Sequence, residues 1–429
     1  STVASSCCDS SNQARKSLLR KLLALRWICG LEVSPSPTSP YWPGASALSV
    51  GASTPTRSHI HIYNCYTNSI INGVCGVACL ETLTMQDTGV LSQAQVNRFC
   101  RQFLQLERDL DYPEGPVLRQ EGTQKAIYEQ LFSPDGPSYS PPVRYQLRVL
   151  KELVQRVESS IEDWDTHGVS EDLMDALAEL LASPIPPETF GAQQKSYVTY
   201  HLSELTQTAT SQEAANPEIT LLEARSLISA SGTTGLRTWE AALHLGQYFC
   251  ANPELIRGKR VLELGAGTGY LAMLCAKHLC AAQVIASDGS DDVINNLPES
   301  FFLNDLQDSP IITPMDLKWG HALVGTEDQQ WNHGIPLDVV FGADITYDQS
   351  IIPPLIGTIE ELFGMFPQVE VLISATERNE ATFNAFQSRC RDAGMELHEL
   401  SFPIAPEAEQ AGPFYSDAVP IRICRIRKS

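Results

Sequence analysis

From residue 259 onward, short apolar runs alternate with helical stretches at a spacing that few folds accept. The runs fall at 260–264, 283–287, 337–342, 369–374 and 419–426, and the helical stretches near 268–280, 291–304, 351–364 and 379–393. Strands separated by helices in this way cannot pair as hairpins. They form a parallel sheet with helices on both faces, so the fold class is α/β. Two further segments, 196–204 and 218–223, alternate in the manner of strands.

Upstream the chain changes character. Residues 12–28, 92–109, 143–160 and 170–183 carry amphipathic helical patterns, and Ser170 is placed to cap the last of them. Residues 33–60 are rich in Ser, Pro, Gly, Thr and Ala, a composition that buries too little apolar surface to offset chain entropy. The expectation is a mainly helical N-terminal region over 1–195, with 30–90 disordered or inserted, followed by a second domain over 196–429. A chain of 429 residues has room for both at about 100–200 residues per domain.

Charge narrows the partners. The chain holds 30 Lys and Arg against 51 Asp and Glu, a net charge of −21. The first hundred residues are slightly basic, so the acidic excess lies wholly in the remainder. Duplex nucleic acid is a poor partner for such a surface, and a basic protein is a favourable one. No window approaches the run of about 18 apolar residues that a spanning helix needs. No apolar run with a small-residue cleavage site opens the sequence, so the expectation is a cytoplasmic protein with free thiols; a monomer is expected as well. Of its 12 cysteines, Cys250, Cys275, Cys280, Cys390 and Cys424 sit in apolar stretches. His59, His61, Cys65, Cys75 and Cys79 match no standard zinc spacing, so no metal site is assigned.

The segment Val261 to Tyr270 runs an apolar strand into a glycine turn that opens a helix. Glycines there let backbone approach a ligand closely. Asp288 closes the next strand, 23 residues after Gly265, where an acid can accept both hydrogen bonds of a ribose diol. The turn alone leaves three readings open. Tyr270 stands where a nicotinamide fingerprint needs a third small residue. The glycines could serve packing only. Glu263, two residues before Gly265, fits a cofactor with a cationic end, as in S-adenosylmethionine. Trp319 follows a third strand, and Ala343, Asp344 and Tyr347 follow a fourth. In open α/β sheets ligands sit beyond such carboxyl ends, so four loops converge on one crevice.

With these residues in hand, 231–429 resembles the seven-stranded S-adenosylmethionine-dependent methyltransferases, in the lysine-methylating group marked by Asp-x-x-Tyr, here Asp344-Ile345-Thr346-Tyr347. The stretch "SGTTGLRTWEAAL" and the strand "SYVTYHL" are similar to the subfamily that methylates eukaryotic elongation factor 2. The resemblance implies a seven-stranded Rossmann-like sheet and a protein-lysine N-methyltransferase acting on elongation factor 2. It implies cofactor contacts from Trp239, Glu263, Gly265, Ala266, Gly267, Asp288, Trp319 and Ala343, and a lysine entrance at Asp344 and Tyr347. Lys318 departs from the family, which commonly carries Asp before the Trp. Alternatives on the same fold are a methyltransferase of another protein or a small molecule, and a catalytically inactive adaptor.

Overall fold

A computed structural model describes residues 91–184, 195–208, 217–224, 234–323 and 331–428. All of them lie within one compact unit, Val77–Ser429. The helix expected over 12–28, the segment 30–90 and the His59–Cys79 cluster fall outside the described residues.

The second half is a seven-stranded sheet of order β5-β4-β3-β6-β7-β9-β8. Its strands are β3 (Arg260–Leu264), β4 (Gln283–Asp288), β5 (Ile312–Asp316), β6 (Val339–Ala343), β7 (Glu370–Thr376), β8 (Met395–Leu400) and β9 (Ile421–Lys428). Strands β3 to β7 run parallel, while β9 is antiparallel to both β7 and β8. The sheet is thus mostly parallel, as the alternation of strands and helices indicates, with antiparallel pairing confined to β9 at one edge. The period of two along each strand divides the core. Val261, Val339, Phe341, Leu372 and Ile423 join helices Glu240–Ala251, Tyr270–Met273 and Asp291–Leu303 on one face. Leu262, Leu264, Val340, Val371 and Ile373 pack with Ile352–Met365 and Glu380–Asp392 on the other. The helix after the glycine turn widens to a π turn at Leu274–His278, where Leu279 N donates to Leu274 O.

The early strands β1 (Ser196–His201) and β2 (Glu218–Glu223) pair with each other as a separate antiparallel ribbon. Asn304 at the end of Asp291–Leu303 clamps its edge: Thr220 N donates to Asn304 Oδ1 at 3.0 Å and Asn304 Nδ2 donates to Thr220 O at 2.7 Å.

The helical region builds its own core. Val143–Ser160 buries Leu147, Val149, Leu150, Leu153, Val154 and Val157 against Phe99 and Phe103 of the 91–104 helix and against Ile127, Leu131 and Leu173. Glu171–Ala182 follows Ser170, whose side chain makes no cap bond; its backbone N–H donates to Gln124 Oε1 at 2.7 Å instead. The region docks on the 401–420 loop of the sheet half. Gln105 Nε2 donates to Phe414 O at 2.5 Å, Phe414 N donates to Gln105 Oε1 at 2.8 Å, and Arg101 reaches Ala411 O at 3.0 Å.

Four of the five cysteines read as core are buried, and burial pushes the Cys250, Cys390 and Cys424 thiols up to about 12. Cys280 is exposed, because it lies in the turn after the helix with φ +55. Among the described residues no helix is long and apolar enough to cross a membrane.

Candidate active site

The carboxyl ends of β3, β4, β5 and β6 open on one cleft of about 740 Å³. All ten residues singled out in the sequence line it: Trp239, Glu263, Gly265, Ala266, Gly267, Asp288, Trp319, Ala343, Asp344 and Tyr347.

The floor is the turn after β3. Gly265 has φ +68, and a Cβ there would lie 2.7 Å from Ile345 and 3.4 Å from the Trp319 ring. Only glycine keeps this approach open. Glu263 is buried beneath the turn and accepts from Ala272 N at 3.0 Å, tying strand to helix. Burial drives its carboxyl well above the ordinary range, and nearby Asp288 adds to the effect. Asp288 accepts from Gly267 N at 3.1 Å and from Ser290 N at 2.9 Å. Burial raises its pKa too, against the pull of those backbone donors.

One wall comes from the segment before Glu240–Ala251. Trp239 occupies the N-cap position, and its indole N–H donates to Thr234 O at 3.0 Å. Thr238, beside it, donates to the buried Glu223 at 2.6 Å and lies 2.8 Å from Thr268 of the glycine turn, while Tyr200 donates to the same Glu223 oxygen at 2.9 Å. The β1–β2 ribbon thus supports the turn. On the opposite wall Trp319 has a buried indole N–H with no acceptor among the described residues. Lys318 next to it pairs with Asp291 at 3.4 Å and Asp316 at 3.6 Å, so its charge is spent locally at the rim.

The mouth is formed after β6. Asp344 has φ +53, a strained conformation for a residue with a Cβ, and is only 8% exposed. It does not cap the following helix. Its carboxylate accepts from Thr376 N at 2.8 Å and Thr376 Oγ1 at 2.9 Å, and lies 3.4 Å from Arg378. Burial raises its pKa, and Arg378 and Thr376 oppose the rise. Tyr347 is 56% exposed at the opening.

Sequence reading missed Thr238, Thr268, Arg237, Thr376 and Arg378. Threonines and arginines carry no spacing signal, and Thr376 and Arg378 reach Asp344 only because β6 and β7 pair with Ala343 opposite Ser374.

A doubly wound sheet with a nucleoside-sized cleft over a glycine turn, bearing an acid at the next strand end, defines an enzyme of the Rossmann-like, nucleoside-cofactor class. Comparison narrows this. Residues 221–390 match a family model described as lysine methyltransferase. The protein-lysine N-methyltransferase EFM3 of Chaetomium thermophilum is 57% identical over 334 residues, covering 78% of this chain and 98% of the relative. EFM3 of Saccharomyces cerevisiae is 33% identical over 49% of this chain and 66% of its own length. Human protein-lysine N-methyltransferase EEF2KMT is 30% identical over 66% of this chain and 79% of its own length. The chain belongs to this family and is an S-adenosylmethionine-dependent protein-lysine N-methyltransferase.

The cleft fits that cofactor. Gly265 lines the cleft with bare backbone where a Cβ would press on Ile345 and the Trp319 ring, and the Trp319 indole offers an aromatic wall with an unmet donor. The buried Glu263 and the half-buried Asp288 both line the cleft, and carboxyls of this kind suit a ligand with an ammonium group and a ribose diol.

Proposed function

We propose that this enzyme methylates a lysine of eukaryotic elongation factor 2. The observation that carries the methyl-transfer chemistry is the convergence of the glycine turn, Asp288, Trp319 and the Asp344–Tyr347 mouth on one cleft. The name of the human relative, EEF2KMT, and the similarity of "SGTTGLRTWEAAL" to its subfamily support the substrate. A cytoplasmic monomer belongs to the same reading.

In this proposal Asp288 holds the ribose diol, Trp319 walls the adenine, and Trp239, Ala266, Gly267 and Ala343 line the rest. Glu263 offers its carboxyl toward the amino end. When bound, S-adenosylmethionine supplies an activated methyl, which an amine lone pair accepts while sulfur keeps the electrons of the broken bond. A free lysine has a pKa near ~10.4, so it must lose its proton to water before it can attack. Asp344 draws the ammonium into the mouth, and Tyr347 orients the nitrogen. The remaining work is alignment.

Labelled cofactor and purified elongation factor 2 test the substrate. The expected result is label on a lysine of that factor; label on a different protein refutes the substrate and leaves the chemistry standing. Asp344→Asn separates the roles. Transfer should fall by ~100-fold, the scale of a lost electrostatic partner at the reacting group. Cofactor affinity measured by calorimetry should stay nearly unchanged. Equal losses in both would put Asp344 in the cofactor site.

A further inference from the structure

The acid at the mouth is already partnered. Arg378 Nη2 bridges Glu240 at 2.6 Å and Asp344 at 3.4 Å, and its guanidinium lies 5.1 Å from the Trp239 ring centre. Arg237 lies 4.4 Å from the same ring and 3.8 Å from Glu240. The charged groups that act on Asp344 are Arg378 and Glu240, and Arg237 joins them only through Glu240 and the Trp239 ring. Glu240 belongs to its helix, Arg237 to the segment before it, and Arg378 to the turn after β7. On the loop of Asp344 itself, Tyr347 stands exposed at the opening, and Asp348 accepts from Ser350 N at 2.8 Å. Glu377, beside Arg378, is taken by Arg422 at 2.7 Å. Arg378 therefore sits between two carboxylates and compensates both, while Arg237 lies 3.8 Å from one of them.

That balance matters for the nucleophile. A lone buried carboxylate would hold a lysine ammonium firmly and raise its pKa, which opposes transfer. A fixed cation beside the carboxylate does the reverse. We infer that Arg378 is a positioning residue that, by compensating Asp344 and Glu240, keeps the entering lysine from being held as its ammonium and so favours the neutral amine that attacks. The inference rests on the proposed entry of lysine at Asp344. Arg378 touches neither cofactor nor methyl group in this role; it acts through Asp344. The proton leaves to water at the mouth, and the new nitrogen–carbon bond takes the nitrogen lone pair.

Single-turnover methyl transfer at saturating cofactor, measured from pH 7 to 10, tests this. The acceptor is elongation factor 2, or whichever protein the wild type labels. The variants are Arg378→Gln and Arg378→Lys. In Arg378→Gln the apparent pKa of the rising limb should move up by about one unit, which is about tenfold in rate at neutral pH, with the deficit closing toward pH 10. The KM for the protein should hold or fall, because the uncompensated acids grip the ammonium harder. Arg378→Lys keeps the charge and should return the limb toward its wild-type position. A deficit equal at every pH, or a raised KM with unchanged kcat, overturns the role. Asp344→Asn, run alongside, separates this from the underlying reading. Full activity in that variant removes Asp344 from the mouth and overturns both. Loss of activity there, with a pH-independent deficit in Arg378→Gln, overturns the role of Arg378 alone.

Discussion

Glu263 shows how a single residue in the cleft sets function against stability. It is 3% exposed and carries one backbone hydrogen bond, from Ala272. Its folded-state pKa is raised, so between the ordinary carboxylate value and the raised one the native state binds the extra proton. Stability therefore falls as pH rises through that window, by about 1.4 kcal/mol per pH unit, and levels off above the folded pKa. Glu263→Gln removes this cost while its amide oxygen can still accept from Ala272. The free enzyme should melt higher than wild type, and the gain should be larger at pH 8 than at pH 5. Cofactor affinity should drop by about tenfold or more, the worth of a charged hydrogen bond to the amino end. Thermal melts at the two pH values and calorimetry check both halves. A gain that shrinks with rising pH contradicts the assigned burial cost.

At the scale of elements, what the sequence made legible follows from burial. Strands β3, β4, β6 and β7 are covered on both faces, so they appear as apolar runs, and the glycine turn and strand-end acids sit where such runs stop. Strand β8 escaped notice because it lies at the sheet edge, with Met395 as its only buried residue. No local pattern announces the antiparallel return of β9 between β7 and β8, nor that β1 and β2 stand apart as a ribbon. The purpose of that ribbon also emerges only in three dimensions. Glu223 at its end receives Tyr200 and Thr238, and Thr238 meets Thr268 of the glycine turn. Thr238→Val keeps the shape and removes both polar contacts. The expected cost is about 1–3 kcal/mol, because Glu223 is buried and loses a donor. The turn should also lose definition, weakening cofactor binding several-fold. Denaturant melts and cofactor titration read the two effects, and a stability loss with untouched affinity would show that the ribbon does not govern the turn.

Among the described residues, the 401–420 loop contacts both the helical region and the helix that leads to the cleft. On one side Gln105 exchanges two hydrogen bonds with the backbone of Phe414, and Arg98 caps the carbonyls of Glu407 and Gln410. On the other side His244 joins the loop twice, with Nδ1 3.0 Å from the Tyr415 hydroxyl and Nε2 3.0 Å from Phe402 O. Burial holds the His244 imidazole down at about 4, so it is neutral under working conditions and this link does not switch. His244 lies on the helix Glu240–Ala251, whose N-cap residue Trp239 lines the cleft. If the helical region reads the protein substrate, loosening it should harm turnover of protein more than cofactor binding. Gln105→Ala leaves Phe414 N–H and C=O without their buried partner, at about 1–3 kcal/mol for each group. The variant should unfold at lower denaturant and show a several-fold lower kcat/KM toward the protein acceptor, with the cofactor dissociation constant unchanged. Steady-state kinetics on the protein, set beside a cofactor titration, decides the matter: parallel losses in both would mean that the loop props up the cleft as a whole, and that substrate recognition lies elsewhere than in the helical region.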